Sequence, residues 1–299
     1  MTPHLAIGIG DRRLSLLLEG DAGGLVHHAR TRYRGFLGGD DGGTPSSPAG
    51  MTLSVRIDPG RRPPGWHPVH VANPPVTSRG DLARAEIRGE GFSAGLDWNA
   101  GEGTAVIPDS LAHLDLLVRV ALGGLLLRDG STLLHAAGVL LDGFAVAFAG
   151  PSGAGKSTIA RLCREAGLPV LCDEMLVALR RPLALRFRGT PFWDGTDREG
   201  PAGGVFLLAH GPSPTVEHLS PDRALPALVA AGGCPLDLPA FQEAFFASLA
   251  NLLRRCPAYR LTFRPDRSFL GAIRALPEFR FFAPRAGVST LPAWPGGTR

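Results

Sequence analysis

The sequence predicts an α/β fold in which a small β-rich N-terminal domain, residues 1–107, precedes a larger domain, residues 108–299. Four observations support this prediction. The 299 residues are enough for about two domains of roughly 150 residues each. Short apolar runs divided by glycine and proline fill the first third, and a glycine-rich stretch near the middle lies between a strand-like and a helix-like run. Hydrophobic residues make up 44% and charged residues 19%, which is typical of a folded globular chain.

Five runs in the N-terminal region have the composition of strands: 5–9, 13–19, 51–57, 83–89 and 104–107. Residues 38–50 are rich in glycine, aspartate, serine and proline, which predicts a long surface loop. An apolar periodicity then opens at Pro108 and continues to Arg128, which predicts a helix joining the two domains. A second helical pattern predicts three aromatic residues in the core: Phe241, Phe245 and Phe246.

Two apolar runs before residue 150 meet at Asp142-Gly143. Both positions of an Asp-Gly turn can take a positive φ, which favours a two-residue hairpin. The strand that leads to residue 150 is therefore expected to have an antiparallel partner. The hairpin would also bring His135, at the start of the first run, close to the end of the second run at residue 149. A lone histidine is most often structural, but this placement makes a role at a functional site an alternative.

Residues 150–158 read GPSGAGKST and match the pattern GxxxxGK[ST]. The apolar run FAVAFA precedes them and a helix-like run follows, as a phosphate-binding loop requires. Glycines let backbone N–H groups curl around a phosphate, the helix dipole favours negative charge, and the lysine bridges phosphate oxygens. Only one of the 31 basic residues is a lysine, and it stands in this motif. The predicted nucleotide-binding residues are Gly150, Pro151, Ser152, Gly153, Ala154, Gly155, Lys156, Ser157 and Thr158.

A second apolar run ends at Asp173 and Glu174, directly after the helix of this motif. Such carboxylates can hold Mg²⁺, orient a nucleophile or activate water, and the sequence leaves these roles open. Ser157 and Glu174 are the predicted metal ligands. A guanine-specific NKxD motif would need a second lysine, and no LSGGQ-like stretch is present, which argues against GTPases and transporter ATPases.

Other functional classes are disfavoured by charge and composition. The net charge is only +4 and the arginines are scattered, so no nucleic-acid partner is indicated. The longest apolar run, 116–127, is shorter than the roughly 20 residues of a membrane span, so we expect no membrane partner and a cytoplasmic location. The four cysteines show neither a CxxC pair nor zinc-ligand spacing, which predicts reduced thiols.

The segment HAAGVLLDGFAVAFAGPSGAGKST, followed by VLCDE, resembles the catalytic domain of the HPr kinase/phosphorylase family. The resemblance implies a P-loop kinase domain of the HPr kinase/phosphoenolpyruvate carboxykinase type, which uses ATP and Mg²⁺ to phosphorylate a protein serine. It implies that His135 is the active-site histidine and Asp173 the base for the acceptor hydroxyl. Residues 186–189, RFRG, are similar to the family's Glu-Ile-Arg-Gly segment, which makes Arg188 a candidate for a substrate or phosphate contact. Family members often form oligomers, so a homo-oligomer is also expected.

The N-terminal half differs from the usual N-terminal domain of that family. With YRGFL at residues 33–37, it is more similar to HPr-kinase-like proteins encoded beside peptide-modifying enzymes. We therefore expect an ATP-dependent kinase acting on a serine or threonine of a protein or peptide. Two alternatives stay open. One is a P-loop ATPase or nucleotide-gated switch in which Glu174 activates water, and the other is a non-catalytic peptide-binding module.

Overall fold

The computed structural model describes residues 3–20, 23–38, 50–58, 76–193 and 195–280. It is a mixed α/β protein with two β-sheets. The first sheet has seven strands in the order β1-β2-β3-β7-β6-β5-β4. Their bounds are β1 (His4–Ile9), β2 (Arg12–Glu19), β3 (Gly50–Ile57), β4 (Val76–Gly80), β5 (Arg84–Gly89), β6 (Phe92–Asp97) and β7 (Glu102–Ile107), with α1 (Gly23–Arg32) after β2.

The strands of the first sheet alternate between a buried and a more exposed face. In β3, Met51, Leu53 and Val55 are buried, whereas Thr52 and Ser54 on the opposite face are partly exposed. This period of two follows from the pleat of a strand. The five predicted strands are all present, but β4, β6 and α1 were missed. β6 contains Ser93 and Gly95, which have low strand propensity, and it is held by its pairing with both β5 and β7.

The predicted helix after the first sheet is present as α2 (Leu111–Leu127) and lies between the two sheets. It contacts β2 and β6 on one side and β8 (Thr132–Leu134) on the other. The indole N–H of Trp98 donates to the carbonyl of Ala121 at 3.0 Å. One buried apolar cluster runs from the first sheet through α2 into the second. The division of the chain into two domains at residue 107 stays a prediction.

The second sheet has nine strands, and β10 and β14 are parallel neighbours at its centre. β16 lies parallel to β14, and β9 separates β10 from β11. After β8 the strands are β9 (Ala136–Leu141), β10 (Phe144–Ala149), β11 (Val170–Cys172), β12 (Leu176–Arg180), β13 (Leu185–Arg188), β14 (Glu199–His210), β15 (Thr215–Leu219) and β16 (Ala258–Phe263). The helices are α3 (Lys156–Glu165), α4 (Pro221–Ala231), α5 (Pro239–Arg255), α6 (Ser268–Arg274) and α7 (Pro277–Arg280).

The predicted hairpin before residue 150 is confirmed. β9 and β10 pair antiparallel, and the turn residues Asp142 and Gly143 have φ values of +50° and +91°. These signs are those of the favoured two-residue hairpin turn. The register pairs Ala149, the last residue of β10, with Ala136, the first of β9. The hairpin therefore carries His135 to the end of the strand that leads into the glycine-rich loop.

The aromatic residues predicted in the core have a mixed outcome. Phe241 and Phe245 are buried, but Phe246 is 52% exposed because residues 241 and 245 share a helix face and residue 246 does not. Of the predicted loop at 38–50, residues 39–49 lie outside the described residues. The four cysteines are free thiols. None of the helices in the described part of the chain is long and apolar enough to cross a membrane.

Candidate functional site

The glycine-rich motif folds as a loop between β10 and α3, so that Lys156 is the first residue of the helix. Gly153 and Gly155 have φ values of +81° and +101°, which L side chains rarely adopt. A Cβ on Gly155 would lie 2.6 Å from ring carbon Cζ of Phe263, and one on Gly150 would lie 2.8 Å from Cβ of Ala154. Glycine is therefore required at these positions by backbone conformation or by close packing.

Lys156 is 6% exposed, although Pro151, Ser152 and Gly153 of the same loop are exposed to solvent. Its Nζ donates to the carbonyls of Gly150 at 2.8 Å and Pro151 at 3.2 Å. Burial lowers the pKa of Lys156, and the negative charge of Glu174 opposes that effect. No side chain caps the N-terminus of α3, where Gly155 is the N-cap residue. An ammonium group and uncapped helix N–H groups thus meet at one place, which is the chemistry of an anion site.

His135 and Glu174 lie together at the end of the sheet that also carries the loop. Nε2 of His135 is 3.2 Å from Oε1 of Glu174, and Nδ1 is 2.9 Å from the carbonyl of Ala231 at the end of α4. A carbonyl can only accept, so Nδ1 carries a proton and the ring has a fixed orientation. The hydrogen bond with His135, and next the charges of His135 and Lys156, lower the pKa of Glu174 despite its partial burial.

Asp173 follows β11 as predicted, and β9 lies between β11 and the strand that leads into the loop. Its Oδ2 is 3.8 Å from Nη2 of Arg164, which is on α3. The structure therefore brings Glu174 into interaction with His135 and Lys156, whereas Asp173 forms an ion pair with the later part of α3. The predicted catalytic role of Asp173 and metal-binding roles of Ser157 and Glu174 stay predictions. In the described residues, no group of three or more histidine, cysteine, aspartate or glutamate side chains could hold a metal ion.

Arg188 is half-buried and both of its terminal nitrogens are engaged by carboxylates of the chain. Nη1 lies 2.8 Å from Glu199, and Nη2 pairs with Asp197. Arg186 also binds Glu199, at 2.6 Å. These pairs link β13 to the start of β14 and its preceding loop. The predicted contact between Arg188 and a substrate or phosphate stays a prediction, and such a ligand would have to replace these carboxylates.

Three groups at the site were not predicted from the sequence. The Ala231 carbonyl orients His135, Nε2 of His210 lies 3.2 Å from the Gly153 carbonyl, and Phe263 packs under Gly155. His210 and Phe263 end two strands that run parallel to β10, so their ends meet the loop at the same edge of the sheet. The apolar runs that precede these two residues are the sequence signal that could have placed them there.

A scan against models of known protein families finds no match, and a search of curated proteins finds none. Among solved structures, the HPr(Ser) kinase/phosphatase from Coxiella burnetii aligns with 48% of this chain and 93% of its own, with 11% sequence identity and a TM-score of 0.29. Membership of the HPr kinase/phosphorylase family stays a prediction that depends on the sequence motifs.

Proposed function

We propose that this protein is a kinase that transfers the γ-phosphoryl group of ATP, with Mg²⁺, to a serine or threonine hydroxyl of a protein or peptide. One arrangement carries the proposal. The buried ammonium of Lys156 lies at the uncapped N-terminus of α3 and interacts with Glu174, which in turn contacts His135. A phosphate-binding group and a carboxylate pair at one sheet edge are the parts that phosphoryl transfer requires.

The loop residues fit a nucleoside triphosphate. Backbone N–H groups of residues 152–156 and the first turn of α3 would bind the phosphates, and the left-handed glycines let the backbone approach them closely. Lys156 would release the carbonyls of Gly150 and Pro151 and bind phosphate oxygens instead. This exchange needs little movement of the helix because lysine carries three donors on a flexible stem.

A Mg²⁺ ion fits the remaining donors. This ion is usually bound in nucleotide sites by one or two protein groups together with phosphate oxygens and water, so Ser157 and Glu174 suffice. Ser157 is exposed on the first turn of α3, and Glu174 is partly exposed. Bound ATP would supply the activated phosphoryl group, with the metal reducing the charge on its oxygens.

Asp173 would accept the proton of the acceptor hydroxyl. It is partly exposed at the end of β11, next to Glu174, so that an acceptor can reach it. An ionised carboxylate is the form that accepts such a proton. His135, fixed by Ala231 and Glu174, would position the transferred group.

The test is transfer of label from γ-labelled ATP to a library of short peptides, each containing one serine or threonine. We expect label on particular peptides with the wild-type protein and none with Lys156→Ala. Lys156→Arg is the matched control, because it keeps the charge but not the compact ammonium. Release of free phosphate without any labelled peptide contradicts a kinase function.

The position of Glu174 favours a second candidate function, an ATPase in which this carboxylate activates water. Glu174 contacts His135 and interacts with Lys156, which is the placement expected of a water-activating group. Glu174→Gln distinguishes the two functions. In an ATPase it should retain bound ATP and stop hydrolysis, whereas a kinase that depends on Asp173 should be more sensitive to Asp173→Asn.

A further inference from the structure

The connection between β13 and β14 packs across the end of β11. We call residues 189–193 and 195–197 the Trp193 loop. A Cβ on Gly189 would lie 2.5 Å from the carbonyl oxygen of Leu171 and 2.0 Å from that of Thr196. A Cβ on Gly195 would lie 1.8 Å from the carbonyl of Thr190. The loop is therefore closed on itself and pressed against β11 so tightly that no side chain fits at either glycine.

Two hydrogen bonds fix this loop on either side of the carboxylate pair. The backbone N–H of Thr196 donates to the carbonyl of Leu171 at 2.7 Å, two residues before Asp173. The buried hydroxyl of Thr190 donates to the carbonyl of Met175 at 2.7 Å, directly after Glu174. The tip of the loop is three residues from each anchor, so its backbone lies within about 11 Å of both.

Trp193 lies at the tip of the loop and has a backbone conformation that is unusual for a tryptophan. Burial of its side chain does not account for this conformation, because the side chain is exposed. Its φ is +51°, an outlier for a bulky residue, and its side chain is 41% exposed. The preceding Phe192 is 1% exposed and anchors the tip, with its ring centroid 6.1 Å from that of Trp193. Strained residues persist where the surrounding structure fixes them, and they cluster at ligand-binding positions. An exposed indole on a loop that is anchored on both sides is suited to contact a partner.

The arrangement of strands separates this loop from the nucleotide loop. β10 lies between β9, which leads outward to β11, and β14, which leads to β16. His210 and Phe263 contact the nucleotide loop from the β14 side. The Trp193 loop is docked on β11, on the other side, by hydrogen bonds to the carbonyls of Leu171 and Met175, which flank the carboxylates in sequence. Because the acceptor hydroxyl of the proposed kinase gives its proton to a group next to it, the acceptor chain would lie beside these carboxylates.

We infer that Trp193 is a specificity-determining residue for the acceptor, which it binds as an extended peptide with an apolar side chain next to the phosphorylated serine or threonine. The inference rests on the proposed kinase function for the identity of the acceptor. The indole supplies a large apolar surface at low entropy cost, and the closed loop holds it in place before binding. Peptides without an apolar side chain next to the serine or threonine lose this contact with Trp193.

The test measures peptide binding separately from phosphoryl transfer. Labelled peptides, each with one serine or threonine and varied neighbours, are titrated with protein in the presence of Mg²⁺ and a non-hydrolysable ATP analogue. Trp193→Ala is compared with wild type, with Trp193→Phe and with Phe246→Ala. The last is the matched control, since Phe246 is an exposed aromatic on α5. Circular dichroism confirms that each variant is folded.

We expect Trp193→Ala to weaken binding about tenfold or more and to abolish the preference for apolar neighbours, the effect of removing a tryptophan anchor. Trp193→Phe should retain most of the affinity, and Phe246→Ala all of it. Equal affinities for wild type and Trp193→Ala, or no peptide binding by the wild type, overturn the inference. Peptides that bind through Trp193 but are never labelled by ATP contradict the kinase function, whereas they support Trp193 as a peptide-binding residue.

Discussion

Replacement of Gly155 by alanine tests the geometry of the nucleotide loop. Gly155 has a φ of +101°, a conformation that costs an L residue about 1–2 kcal/mol. The added Cβ would also lie 2.6 Å from the ring of Phe263. That ring is 1% exposed and packs against the rings of His210 and Phe269, so it cannot move aside freely.

The expected loss combines these two effects. Overpacking a buried contact costs about 1–3 kcal/mol, and together with the backbone cost this lowers the free energy of unfolding by about 2–5 kcal/mol. Gly153→Ala is the matched control. Gly153 has a φ of +81°, but a Cβ there would meet nothing within 4 Å. The free energy of unfolding of this variant should therefore fall only by the backbone cost, about 1–2 kcal/mol.

Thermal unfolding of both variants, with and without Mg²⁺-ATP, measures the difference. At this chain length each kcal/mol lowers Tm by about 2 °C, so Gly155→Ala should melt clearly below Gly153→Ala. A double-mutant cycle with Phe263→Leu should show coupling, because the smaller side chain relieves the contact. Equal Tm losses in the two alanine variants would refute the argument that Phe263 fixes the loop.

The other predictions concern the division of labour at the site. Lys156→Ala should impair ATP binding, measured by calorimetry, and abolish turnover, because the phosphates lose a close positive charge. Asp173→Asn should leave ATP affinity within a few-fold but reduce peptide phosphorylation by roughly 10²-fold or more, the usual scale for losing a general base. Near-normal turnover of that variant would reassign Asp173 to metal binding or a structural role. His135→Ala should reduce turnover to a smaller extent than Asp173→Asn, and a larger loss would give His135 a direct part in the chemistry.

The sequence by itself determined the features that depend on short stretches of chain. The Asp142-Gly143 turn, helix α2 and the strand–loop–helix around Lys156 are each specified by neighbouring residues, through positive φ, apolar periodicity or a strand-to-helix change. The strong signal at Lys156 comes from chemistry as well as spacing, since the other basic residues of the chain are arginines. Local propensities failed at β6, which depends on its neighbours in the sheet.

Tertiary structure decided which of the candidate residues meet. Glu174 is 39 residues from His135 and Ala231 is 96 residues from it, and the order of strands brings the three together. Arg188 shows the opposite outcome, because pairing of β13 with β14 places Glu199 beside its guanidinium. Contacts of this kind depend on strand order and on the path of distant loops. A single sequence carries no local signal for such contacts. The Asp142-Gly143 turn, helix α2 and the loop around Lys156 are instead set by their own residues.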